Sequence, residues 1–257
     1  MKKLFFRNLC LILQALVTVF LCPLLLYCGH AALEEGIPFA QVALRLAPSL
    51  IHLIVSLLLA VLLSRFLRTT FGSDAQLMPF LLLLLSLLEL RTYPVCYAHT
   101  LSLPLALNHV ARIYQIILLG AFLIAMECML YQTEINLKRI NTGVLIACAV
   151  SLLVGMSVPV SPNTKVFLEG AYITALTMRL ATCILGCIGL IVLLFSVLQE
   201  NVSKETAIKC IAYTTIIIAL VLLAFPYAMV RDIIALCLIL ASMLTLVLVA
   251  HGRRIWA

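Results

Sequence analysis

Apolar residues in this chain come in long runs separated by short polar segments, and eight of the runs are long enough to cross a bilayer as helices. The hydrocarbon core is roughly 30 Å thick and a helix rises 1.5 Å per residue, so a span takes about 20 apolar residues. The pattern predicts helices over Leu9–Tyr27, Leu46–Ser64, Gln76–Leu90, Val110–Tyr131, Gly143–Val160, Ala171–Leu198, Cys210–Pro226 and Ile233–Ala250. The third run is short and carries Glu89 and Arg91 at its exit; the sixth is long and contains Arg179. The expected fold class is all-α: a polytopic transmembrane helical bundle of about eight spans. Such helices leave only short loops, so residues 1–257 read as one integral membrane domain with no separate soluble domain.

Composition agrees with this reading. Hydrophobic residues make up 65% of the chain and charged residues 11%, with a mean hydropathy of +1.23. Soluble domains have about 45–50% apolar and about 25% charged residues. The net charge of +7 does not point to nucleic acid, because the basic residues flank the apolar runs rather than forming a soluble patch.

The basic residues sort to one side. With the amino terminus inside, the cytoplasmic segments hold Lys2, Lys3, Arg7, Arg65, Arg68, Lys138, Arg139, Lys204, Lys209, Arg253 and Arg254, against Arg45, Arg91, Arg112, Lys165 and Arg231 opposite. Cationic loops resist translocation, so both termini are expected in the cytoplasm. The Met-Lys-Lys start fits a bacterial-type inner membrane. It also resembles a signal peptide, whose removal would leave seven helices, although its apolar core exceeds the usual length.

Two outer segments stand out. Residues 28–45 read as a first external loop with acidic and turn signals at Glu34, Glu35, Gly36 and Pro38. Residues 92–109 are too apolar for an aqueous loop. They read either as a re-entrant segment or, the favoured reading, as an interfacial helix anchored by Tyr93 and Tyr97. Most embedded charges lie on the same side. Arg179 sits well inside its helix, and Arg112 shares a face with Gln115 at i+3.

The functional expectation is an outward-facing polar cavity in which Arg112 and Arg179 hold an anionic ligand, Gln115 contributes, and Glu89 with His109 handles protons. The favoured reading of these charges is structural: Glu89 pairs with an arginine while Arg91, Arg112 and Arg231 reach the headgroups.

Of ten cysteines, eight lie within the runs, where they act as small apolar residues; Cys28 and Cys96 fall on the external side as a candidate disulfide. Cys183 and Cys187 share a helix face without further ligands, so no metal is expected, and no motif calls for a cofactor. Serine-hydrolase, phosphate-loop and paired-aspartate patterns are absent from the sequence.

The leading functional expectation is a small permease or permease subunit for an anionic solute; the alternative is a sensor or scaffold module signalling to a separate cytoplasmic partner, and the third an intramembrane enzyme on a lipid-linked substrate. A permease needs a polar path across the bundle, from Arg179 toward Glu127. A sensor can be sealed on its inner side.

Overall fold

The structure is a computed structural model in which residues 2–66, 74–99, 106–131, 140–162, 172–174, 176–198, 203–225 and 228–255 are described. Each of the eight apolar runs forms a helix. In chain order these are α1 (Lys2–Glu34), α2 (Phe39–Phe66) and α3 (Asp74–Leu87), which passes through a 3₁₀ segment (Leu88–Thr92) into α4 (Tyr93–His99). Then come α5 (Leu107–Leu130), α6 (Ile140–Ser157), α7 (Leu176–Leu198), α8 (Lys204–Ala224) and α9 (Met229–Ile255). A three-residue antiparallel pair, β1 (Val160–Pro162) with β2 (Tyr172–Thr174), lies between α6 and α7.

Among the described residues, six helices are long and apolar enough to cross a membrane: Phe5–Glu34, Phe39–Phe66, Leu77–Tyr97, Leu107–Leu130, Lys204–Ala224 and Met229–His251. The chain is therefore a helical membrane protein. The fifth and sixth expected spans correspond to α6, of 18 residues, and α7, of 23, both apolar along the side chains described, Thr142–Ser157 and Arg179–Leu194. α6 ends at Ser157, ahead of Pro159.

Two expected outer segments are revised. Residues 28–34 complete α1 and residues 39–45 begin α2, so the first connection is only 35–38. Gly36 turns it with φ +84°, a left-handed conformation that costs glycine little. The segment from Tyr93 to Tyr97 continues the third span instead of lying flat. Tyr93 is buried in the bundle and only Tyr97 is exposed, so Tyr93 is no headgroup anchor. Residues 100–105 of the 92–109 segment lie outside the described residues.

Side-chain contacts fix which helix ends lie together. At one end the ring of Phe66, closing α2, sits 4.6 Å from that of His251 in α9, and Phe6 of α1 lies 6.1 Å from Phe80 of α3. At the other end the close of α1, the start of α2, the 3₁₀ segment and the start of α9 meet. The first of these is called the stacked end and the second the cluster end. The first part of α1 and the last part of α9 share the stacked end.

The main core is formed by α2, α3, α5, α8 and α9 around Leu85, Leu118, Phe122, Tyr213, Ile216 and Ile239. A smaller core joins α1, α2 and α4 through Leu21, Leu25, Leu46, Leu53 and Val95. Small residues let helices close up. A Cβ on Gly155 of α6 would stand 2.5 Å from Ile116 Cγ1 of α5 and 3.2 Å from its backbone. Large apolar side chains such as Val19, Leu145 and Leu153 point outward, as hydrocarbon surroundings require.

Candidate functional site

The cluster end buries a chain of charged groups drawn from three elements. His52 of α2 and Glu89 of the 3₁₀ segment are fully buried, with His52 Nδ1 2.9 Å from Glu89 Oε1. The other carboxylate oxygen, Oε2, lies 3.4 Å from Arg91 Nε. Arg91 Nη1 in turn donates to Asp232 Oδ2 of α9 at 2.7 Å. Ser49 of α2 also hydrogen-bonds the Glu89 carboxylate, and Thr92 Oγ1 caps the turn by donating to the Glu89 carbonyl at 2.7 Å. Buried Arg45 of α2 and Tyr114 of α5 act electrostatically on the same groups.

Around Glu89 and Asp232 stand Arg91, Arg45 and, half-buried at the start of α9, Arg231; a low-dielectric interior tolerates charges that have opposite partners of this kind. The 3₁₀ segment brings Glu89 and Arg91 together, because its tighter turn places side chains two residues apart nearer one side than an α-helix does. His52 Nε2 has no hydrogen-bonding partner among the described residues.

The cluster is the upper part of a longer polar seam. Arg45, Ser49, His52 and Ser56 fall at i, i+4, i+7 and i+11 on α2, one helix face, and all four are buried. Below His52 the seam runs from Ser56 Oγ to Ser86 Oγ at 3.0 Å, while Gln14 Nε2 of α1 donates to Ser86 Oγ at 2.8 Å. It stops there. The next layers of the same interface are Leu85, Leu82, Leu81, Met78, Leu63 and Leu246, around a void of only about 10 Å³.

The sequence-derived site residues separate into groups. Glu89 is central, but its charged partners are His52 and Arg91; neither Arg112 nor Arg179 is in this chain of contacts. Arg91 is buried in an ion pair and does not reach headgroups. His109 and Arg112 are exposed on the first turns of α5, and Arg179 is half-buried on α7. Gln115 is fully buried, and neither end of its amide has a hydrogen-bonding partner among the described residues. An orphaned amide of this kind costs roughly 1–3 kcal/mol. Cys28 and Cys96 are both buried and hydrogen-bonded to one another through their side chains, as free thiols.

His52, Arg91 and Asp232 were not assembled from the sequence, although the buried polar face of α2 has a helical period that marks it. A separate groove of about 560 Å³ opens between α1 and α2. Leu25, Leu33, Val42, Leu46 and Leu50 line it, with His30 and Glu34 at its rim. Among the described residues no group of three or more histidine, cysteine or acidic side chains is placed to hold a metal. No family model, no curated protein and no solved structure matches this chain, which leaves the charge cluster and its seam as the guide to function.

Proposed function

We propose that this chain is a membrane sensor module, with its cluster end facing outward and a separate protein reading its state at the cytoplasmic, stacked end. One observation carries the reading. The helices that hold the buried cluster, α2 and α9, are the same two whose far ends are stacked through Phe66 and His251. A ligand, ion or lipid headgroup that alters the balance at His52, Glu89, Arg91 and Asp232 favours one packing of α2 against α9 over another. A signal shifts an equilibrium only through such a difference in interaction energy between the two states. The basic residues Arg7, Arg65, Lys204 and Lys209 belong to helix segments at the stacked end, which supports placing that end in the cytoplasm.

The permease reading, with Arg112 and Arg179 holding an anionic solute, draws less support. A solute path needs polar groups through the bundle, and the one polar seam that leads from the charge cluster ends, among the described residues, at Ser56, Ser86 and Gln14 against leucines. Hydrogen exchange on the full chain in lipid nanodiscs tests the sensor reading, comparing the wild type with Glu89→Gln. The expected result is altered protection both around residues 49–56 and, far from the change, in the last turns of α2 and α9 at 62–66 and 245–251. A change confined to the cluster end, with 62–66 and 245–251 exchanging as in the wild type, overturns it.

A further inference from the structure

Beside the charge cluster, and not part of it, two thiols lie against each other. Cys28 on the last turns of α1 and Cys96 in α4 are fully buried, and a side-chain hydrogen bond joins them. They sit in the smaller core with Leu25, Val42, Leu46 and Val95. Two features set them apart from cysteines that merely fill space. The pair joins elements distant in the chain, and the buried guanidinium of Arg45 acts electrostatically on both sulfurs, opposed at Cys28 by Glu35. A nearby cation is typical of reactive cysteines, which are also partly exposed; both of these are buried, so exchange with an outside disulfide requires α1 and α4 to part locally. α4 also follows directly from the 3₁₀ segment that carries Glu89 and Arg91, so whatever holds α4 restrains those two residues as well.

We propose that Cys28 and Cys96 are an oxidisable dithiol whose closure to a disulfide ties α1 to the segment bearing Glu89 and Arg91. The co-reactant is a disulfide, either a small molecule or a protein at the same membrane face. One cysteine sulfur attacks it, the S–S bond of the co-reactant breaks, and a mixed disulfide forms as the first thiol leaves. The second cysteine sulfur then attacks the first, the mixed disulfide breaks, and the second thiol leaves. The two cysteines lose two electrons and two protons, and the co-reactant gains both. A dithiol reductant runs the exchange backwards.

The inference is independent of the sensor reading. A disulfide here fixes α1 against α4 whatever the bundle does, and its direct test reads only sulfur chemistry. The full chain in membranes is equilibrated with glutathione buffers of stepped oxidised-to-reduced ratio and quenched in acid. Free thiols are blocked with a light alkylating reagent in SDS, disulfides are reduced, and the released thiols take a heavy reagent. Peptide mass spectrometry then reports each cysteine separately.

Cys28 and Cys96 are expected to pass from light to heavy label together, at one midpoint, and a digest of the oxidised chain made without reduction is expected to contain one cross-linked peptide that joins them. The proposal is overturned if both sites stay light at every ratio, if they titrate at different midpoints, or if the unreduced digest carries glutathione adducts with no cross-link between Cys28 and Cys96.

Discussion

The two halves of the α2–α3–α9 interface are built from the same three helices on opposite principles. Toward the cluster end the contacts are His52 with Glu89, Arg91 with Asp232, and serines that bridge α2 and α3. Toward the stacked end they are leucine and methionine side chains with almost no void. In hydrocarbon a leucine gains little by leaving lipid for a neighbouring helix, so the apolar half is held by close packing. Buried charges behave differently. Each is costly alone and tolerable with its partner, so the polar half is specific and brittle where the apolar half is tolerant. A protein that needed only stability would extend the leucine packing along the whole interface. The polar half is better explained by a task.

The sharpest way to break this contrast is to strand a charge. Arg91→Gln leaves Glu89 and Asp232 buried with less compensation, and the expected loss is about 3–5 kcal/mol, read by unfolding in mixed SDS and detergent micelles. Adding Asp232→Asn to Arg91→Gln should restore part of that loss, so the double variant is less damaged than the sum of the singles. Strictly additive losses would mean that the 2.7 Å contact between Arg91 and Asp232 contributes nothing as a pair.

Leu85→Ala probes the apolar half and is expected to cost about 2–5 kcal/mol in the same assay, without moving any ion pair. A loss well under 1 kcal/mol would show that the leucine half is loosely packed. The smallest expected effect has the opposite sign. Gln115→Leu replaces an amide that is fully buried without a partner among the described residues, and should be neutral or stabilise by about 1–3 kcal/mol. Marked destabilisation by Gln115→Leu would mean that its amide is engaged after all, and would extend the polar half into α5.

Much of the architecture was legible from apolar run length alone, since backbone hydrogen bonds in lipid must close within a helix. The eight runs each became a helix for that reason. From sequence the third span reads short because Glu89, Arg91 and Pro94 interrupt its hydropathy, and hydropathy does not account for charges that neutralise one another on burial. The site was less legible. Arg91 and Asp232 are 141 positions apart, and span order does not say which helices become neighbours. The period of Arg45, Ser49, His52 and Ser56 was within reach, because four polar residues on one face of a spanning helix point to a buried seam. Cys28 and Cys96 were singled out as outer-side cysteines, and the structure sets them in contact within helices instead of in loops.

The lengths of α1 and α2 have a mechanical consequence. At 1.5 Å per residue, their 33 and 28 residues extend about 50 Å and 42 Å, against a hydrocarbon layer of roughly 30 Å. Joined by so short a turn at Gly36, the two rods meet a change in bilayer thickness together, by tilting. One of them carries Arg45, Ser49 and His52, so a tilt of the hairpin would shift these side chains relative to the Glu89 carboxylate.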